Sequence, residues 1–124
     1  MNIAYEAIRE FVCPDELRRA VAYFGSEVGF WDGACYSFAT SLFDWLRRRC
    51  DGCVRLVELN PRDGSLLEPN LDAVAYECGP WTYHMVVVWD GDVHDPWFPE
   101  LVLPVDGYTA EAFPNQYVDV LYVE

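Results

Sequence analysis

Two stretches of the 124-residue chain carry residue types suited to chemistry. The first is Gly33-Ala34-Cys35-Tyr36-Ser37-Phe38-Ala39, where a cysteine falls at the first turn of an expected helix behind a glycine-rich loop. Unpaired backbone N–H groups and the positive end of the helix dipole favour a thiolate at such a position and make it a better nucleophile. The same N–H groups are placed to cradle the oxyanion of a tetrahedral intermediate. The plainer reading of Cys35 is a small buried hydrophobe.

The second stretch holds His84 and Asp95. With Asp90-Gly91 as the central pair of a two-residue hairpin turn, Trp89 faces Asp92, Val88 faces Val93 and Val86 faces Asp95. His84 lies two residues from Val86, so it points to the same side of the sheet as Asp95 and is its diagonal neighbour. His94 falls opposite Val87 and points the other way. A carboxylate on one imidazole nitrogen fixes the tautomer and leaves the other nitrogen to take a proton from a thiol. The plainer reading is a core histidine satisfied by a backbone carbonyl. A polar ring between Tyr83 and the run Met85-Val86-Val87-Val88 is costly unless it is partnered, and Asp95 is within reach.

These residues need elements to hold them. The first third reads as helical, with Ile3, Tyr5, Ala7, Ile8 and Phe11 covering one side of a short segment. Pro14 suits the first turn of a second helix, which Leu17, Val21 and Phe24 continue and Gly25 stops. Residues 25–33 contain three glycines and read as an ordered loop with Phe30 and Trp31 anchored inward. A third helix runs from about Ala34 to Arg49, its apolar face made by Phe38, Ala39, Leu42, Phe43 and Leu46. Arg47, Arg48 and Arg49 complement the dipole at its C-terminus. Beyond Gly52 the period changes to that of strands: Val54–Leu59, a turn over Asn60–Gly64, a weaker strand over Ala73–Tyr76, and the strongest one over Tyr83–Trp89. Short strands are also expected around Leu101–Leu103 and Tyr117–Tyr122. Helices first and then an antiparallel meander make a single α+β domain.

At this point the order of motifs resembles a known family. A cysteine opening a helix with a small residue four on (Cys35 and Ala39), then Leu42, Leu46-Arg47 and a strand with Arg55-Leu56-Val57, is similar to the transglutaminase-like branch of the papain-like thiol superfold. His84-Met85-Val86-Val87-Val88-Trp89, the hairpin and Asp95-Pro96 match that branch's histidine-led strand and its aspartate followed by proline. The resemblance spans Gly33 to Pro96, about half the chain, through short motifs whose order is more specific than any one of them. It implies a Cys-bearing helix packed on a small antiparallel sheet and a triad of Cys35, His84 and Asp95. It also implies acyl transfer from an amide through a thioester, as in peptidases, amidases, cross-linkers and deamidases. No cofactor is implied. The chain lacks a glutamine ahead of the cysteine, its only glutamine being Gln116. The Cys35 N–H is therefore expected to carry the oxyanion, helped by Trp31 or Tyr83, with Trp97 also on the substrate side.

Composition narrows the partners. The formal net charge is −13, and all eight basic residues are arginine. Such a surface repels nucleic-acid phosphates and anionic membranes and suits a basic protein or peptide substrate. No apolar stretch approaches the roughly 20 residues that span a bilayer, and residues 1–6 lack the marks of a secretory signal. Five cysteines cannot all pair within the chain, so a reduced, cytoplasmic protein with free thiols is expected. Export by a route without an N-terminal signal stays open. Cys50-Asp51-Gly52-Cys53 could join Cys78, Cys13 or His94 around zinc, but it has no second paired half, and no metal is assigned. The competing class is a non-catalytic acidic protein-binding module, in which Cys35 and His84 only pack.

Overall fold

A computed structural model of the protein describes residues 17–23, 34–49, 54–75 and 80–124. The expected helix over residues 3–11, the loop over residues 25–33 and the Cys50–Cys53 motif lie outside them. Helix α1 covers 17–23 and falls within the segment that Pro14 was expected to open; Leu17 and Ala20 are buried, one turn apart. Helix α2 (Ala34–Arg49) has the expected bounds. Phe38, Ala39, Leu42, Phe43 and Leu46 form its buried stripe, while Tyr36, Asp44, Arg47 and Arg48 face out. Burying one such leucine contributes about 1.5–3 kcal/mol, far more than helix propensity does. The Arg47 guanidinium lies over the Phe43 ring at 5.7 Å, covering the helix's C-terminal half.

The sheet is built from β1 (Val54–Pro61), β2 (His84–Trp89), β3 (Asp92–His94) and β4 (Val118–Tyr122). Their order is β3-β2-β1-β4 and every pairing is antiparallel. Strand β2 is central and buried on both sides, as its unbroken apolar run implies. Between β2 and β3, Asp90 (φ 52°) and Gly91 (φ 88°) both adopt left-handed backbone, the requirement of a type I′ turn. That turn sets the register Trp89↔Asp92, Val88↔Val93, Val87↔His94, as expected. Helix α2 packs on β1 and β2.

Four local expectations are corrected. Strand β1 runs through Asn60 and Pro61, which pair with Asp119 and Val118; the turn starts only at Arg62. Residues 73–75 are not a strand: the Ala73 and Val74 N–H groups both donate to the Asn70 carbonyl, closing a turn. Leu101–Leu103 is not a strand either, although the Leu103 carbonyl accepts the Val93 N–H at 2.8 Å. A helix that the residue pattern did not suggest, α3 (Val105–Ala112), follows Pro104 and buries Tyr108 and Ala112. The sheet is also more than a meander, because β4 pairs with the outer edge of β1 and not with β3. The architecture is α+β. Among the described residues no helix is long and apolar enough to cross a membrane.

Candidate active site

Strand β3 has only three residues after the Asp90-Gly91 turn, and Asp95 is the first residue beyond it. Continuing the register puts Asp95 across from Val86 and diagonal to His84, the first residue of β2. His84 Nε2 lies 2.7 Å from Asp95 Oδ2. A carboxylate only accepts, so Nε2 carries the donated hydrogen. Both side chains are about 1% exposed. Asp95 receives two further donors: the Trp97 backbone N–H on Oδ1 at 3.0 Å, and the Tyr108 hydroxyl on Oδ2 at 2.5 Å. Three donors from three parts of the chain leave the carboxylate little freedom to turn.

Cys35 is the second residue of α2, in a first turn that contains no acidic side chain. It is a free thiol, 8% exposed. The unpaired N–H groups and dipole of a helix N-terminus favour an anion at such a place. After Asp95, Cys35 also acts to raise the pKa of the His84 imidazole. Nδ1, the ring nitrogen not bonded to Asp95, is buried and has no hydrogen-bond partner among the described residues.

Aromatic rings enclose the imidazole. Trp81 stacks on its face at 4.4 Å with the planes 7° apart; Trp97 and Phe113 meet it edge-on at 5.7 and 6.4 Å. Burial by itself presses the His84 pKa down. The Asp95 charge and hydrogen bond, followed by Cys35, outweigh burial and raise it to about 9. The stacked Trp81 face works in the same direction, since a π-face attracts a cation. His94 is outside this cluster: its side chain faces the other way beside Trp89, and burial lowers its pKa against the pull of Asp92.

Of the residues expected at the site, His84 and Asp95 are hydrogen-bonded to each other, and Cys35 acts on the His84 pKa. Tyr83 is part-buried and lines a groove of about 540 Å³ between α2 and the sheet, together with Tyr36, Phe43, Glu58 and Met85. Trp97 is 3% exposed and sits between His84 and Phe38, so it walls the imidazole instead of lining an open surface. Trp31 lies outside the described residues, as do Cys13, Cys50, Cys53 and Cys78. Among the described residues no group of three or more His, Cys, Asp or Glu side chains could hold a metal ion. Tyr108 and Phe113 escaped the sequence reading. Both belong to the unexpected α3 or its C-cap, and neither has a motif-like neighbour. No family model, curated protein or solved structure matches the chain.

Proposed function

We propose that this chain is a thiol-dependent amidohydrolase or acyltransferase of papain/transglutaminase-like arrangement, with Cys35 as nucleophile, His84 as acid–base and Asp95 as the group that orients His84. The observation that carries this reading is the buried His84–Asp95 hydrogen bond, with the imidazole pKa raised to about 9 by Asp95 and then Cys35. In this reading Nδ1 takes the proton from Sγ. The sulfur attacks a carboxamide carbon, and the oxyanion is met by N–H groups at the start of α2. The C–N bond then breaks, the leaving nitrogen takes the proton from Nδ1, and a thioester remains. Water or a second amine, giving up its proton to Nδ1, releases the acyl group and the thiol. The acidic surface favours a basic protein or peptide as acyl donor.

One observation favours the alternative, an acidic protein-binding module: Cys35 and His84 are both enclosed, at 8% and 1% exposure. The two readings differ in thiol reactivity. Iodoacetamide labelling of the full chain, followed by peptide mass mapping across pH, should find Cys35 reacting fast well below pH 8. His84→Ala should slow that reaction by roughly tenfold or more, since imidazole removal returns an ordinary thiol. Five ordinary or protected thiols would establish the module instead.

A further inference from the structure

The geometry points to Tyr108 as a positioning residue of this site: its hydroxyl shares Asp95 Oδ2 with His84, holding the carboxylate in line and limiting how strongly it pulls on the imidazole proton. The inference rests on the catalytic reading above and adds a fourth member to its proton line.

Tyr108 is fully buried, and among the described residues its hydroxyl has one partner, Asp95 Oδ2 at 2.5 Å. A buried phenol needs an acceptor, but most find a backbone carbonyl or water. Here the acceptor is the same oxygen that His84 Nε2 meets at 2.7 Å. Two donors on one carboxylate oxygen divide its charge. The phenol also stays protonated, and so stays a donor. Burial, then the Asp95 charge and hydrogen bond, then the Cys35 charge hold its pKa well above 10.

The ring is fixed independently of this bond. Phe98 and Phe113 pack edge-on against Tyr108 at 5.8 and 6.5 Å, and Phe113 reaches on to His84. Tyr108 is thereby aimed from α3 at a carboxylate anchored on its far oxygen by the Trp97 N–H. The groups that act on the protonation of His84 are Asp95 beyond β3 and Cys35 on α2; the same two act on Tyr108.

Removing the hydroxyl leaves Oδ2 to His84 alone, so the imidazolium gains. The test is an NMR titration of the full chain with ¹⁵N-labelled histidine. His94, the only other histidine, is assigned with His94→Gln. Tyr108→Phe should raise the His84 midpoint by about one unit, a tenfold gain in proton affinity. A purely structural tyrosine would leave the midpoint in place in a folded variant, and that result overturns the inference, as does a downward shift. Placing 3-fluorotyrosine at position 108 gives a stronger donor of almost the same shape. It should lower the midpoint, and it decides the matter even if the phenylalanine variant does not fold; an unchanged or raised midpoint sinks the inference. Iodoacetamide labelling of the unaltered chain separates the two readings. Fast Cys35 labelling with an unmoved His84 midpoint removes Tyr108 alone. Ordinary Cys35 labelling with a midpoint that moves as stated removes the catalytic reading and keeps Tyr108 as the residue that positions a His–Asp pair.

Discussion

A histidine ring in a hydrophobic interior is a cost until something compensates it, and here the compensation is Asp95. The consequence reaches folding stability. The folded pKa of His84, about 9, lies above the unfolded value of about 6.5. The proton is therefore bound more tightly in the folded chain. Its stabilising effect is complete below about pH 6.5 and is lost as pH rises through about 9. Each unit of that difference is worth roughly 1.4 kcal/mol. Urea unfolding between pH 6 and 10 should show stability falling across this window, and His84→Gln should remove that part of the slope. A wild-type profile as flat as the variant's would mean that the ring is neutral when folded. The His84–Asp95 pair was legible in advance because two residues on adjacent strands obey a period of two and a turn of known length. Tyr108 was not, since nothing local distinguishes a tyrosine that meets a carboxylate from one that merely packs.

The element that places this pair is the β2–β3 hairpin. Gly91 has φ 88° and open space where a side chain would go, so Gly91→Ala meets no neighbour and suffers only the backbone cost. That cost is about 1–2 kcal/mol for a left-handed L-residue. Denaturant unfolding should register it, whereas Asp90→Asn, which tolerates the same region, should be near neutral. A Gly91→Ala variant of wild-type stability would mean that the turn is not type I′. Helix α3 shows why short elements evade sequence reading. Pro104 and Asp106 are start signals, but Gly107 follows in the first turn and eight residues barely complete two turns. The helix stands because Tyr108 and Ala112, one turn apart, are buried. Asn60-Pro61 illustrates the reverse: residues that suit a turn remain in β1 because β4 lies alongside to pair with them.

For the molecule as a whole the dominant electrostatic fact is a net charge of −13 carried by 124 residues. Exposed pairs such as Arg62–Asp119, 2.9 Å apart but more than half exposed, offset little of the repulsion. Salt screens charges separated by more than about 10 Å at 0.1 M, and those separations describe the repelling surface better than the close pairs. Raising ionic strength from about 0.01 to 0.15 M should therefore raise the melting temperature by a few degrees. A fall would mean that attractive pairs outweigh the net repulsion. The buried site should be affected least, because His84 and Asp95 are 2.7 Å apart and shielded from solvent ions.

The sequence by itself determined what depends on neighbours along the chain. It placed Cys35 at the start of a helix with a definite apolar stripe, a left-handed turn at Asp90-Gly91, and a register that brings Asp95 to His84. Each is settled by steric limits and periodicities acting within about a dozen residues. Tertiary structure decided which surfaces meet. It put Cys35 where it acts on the His84 imidazole, laid Trp81 across the ring, turned Tyr108 onto Asp95 and added β4 to the edge of β1. Those contacts come from packing whole elements to bury apolar area, a force without direction that leaves no local spacing to read.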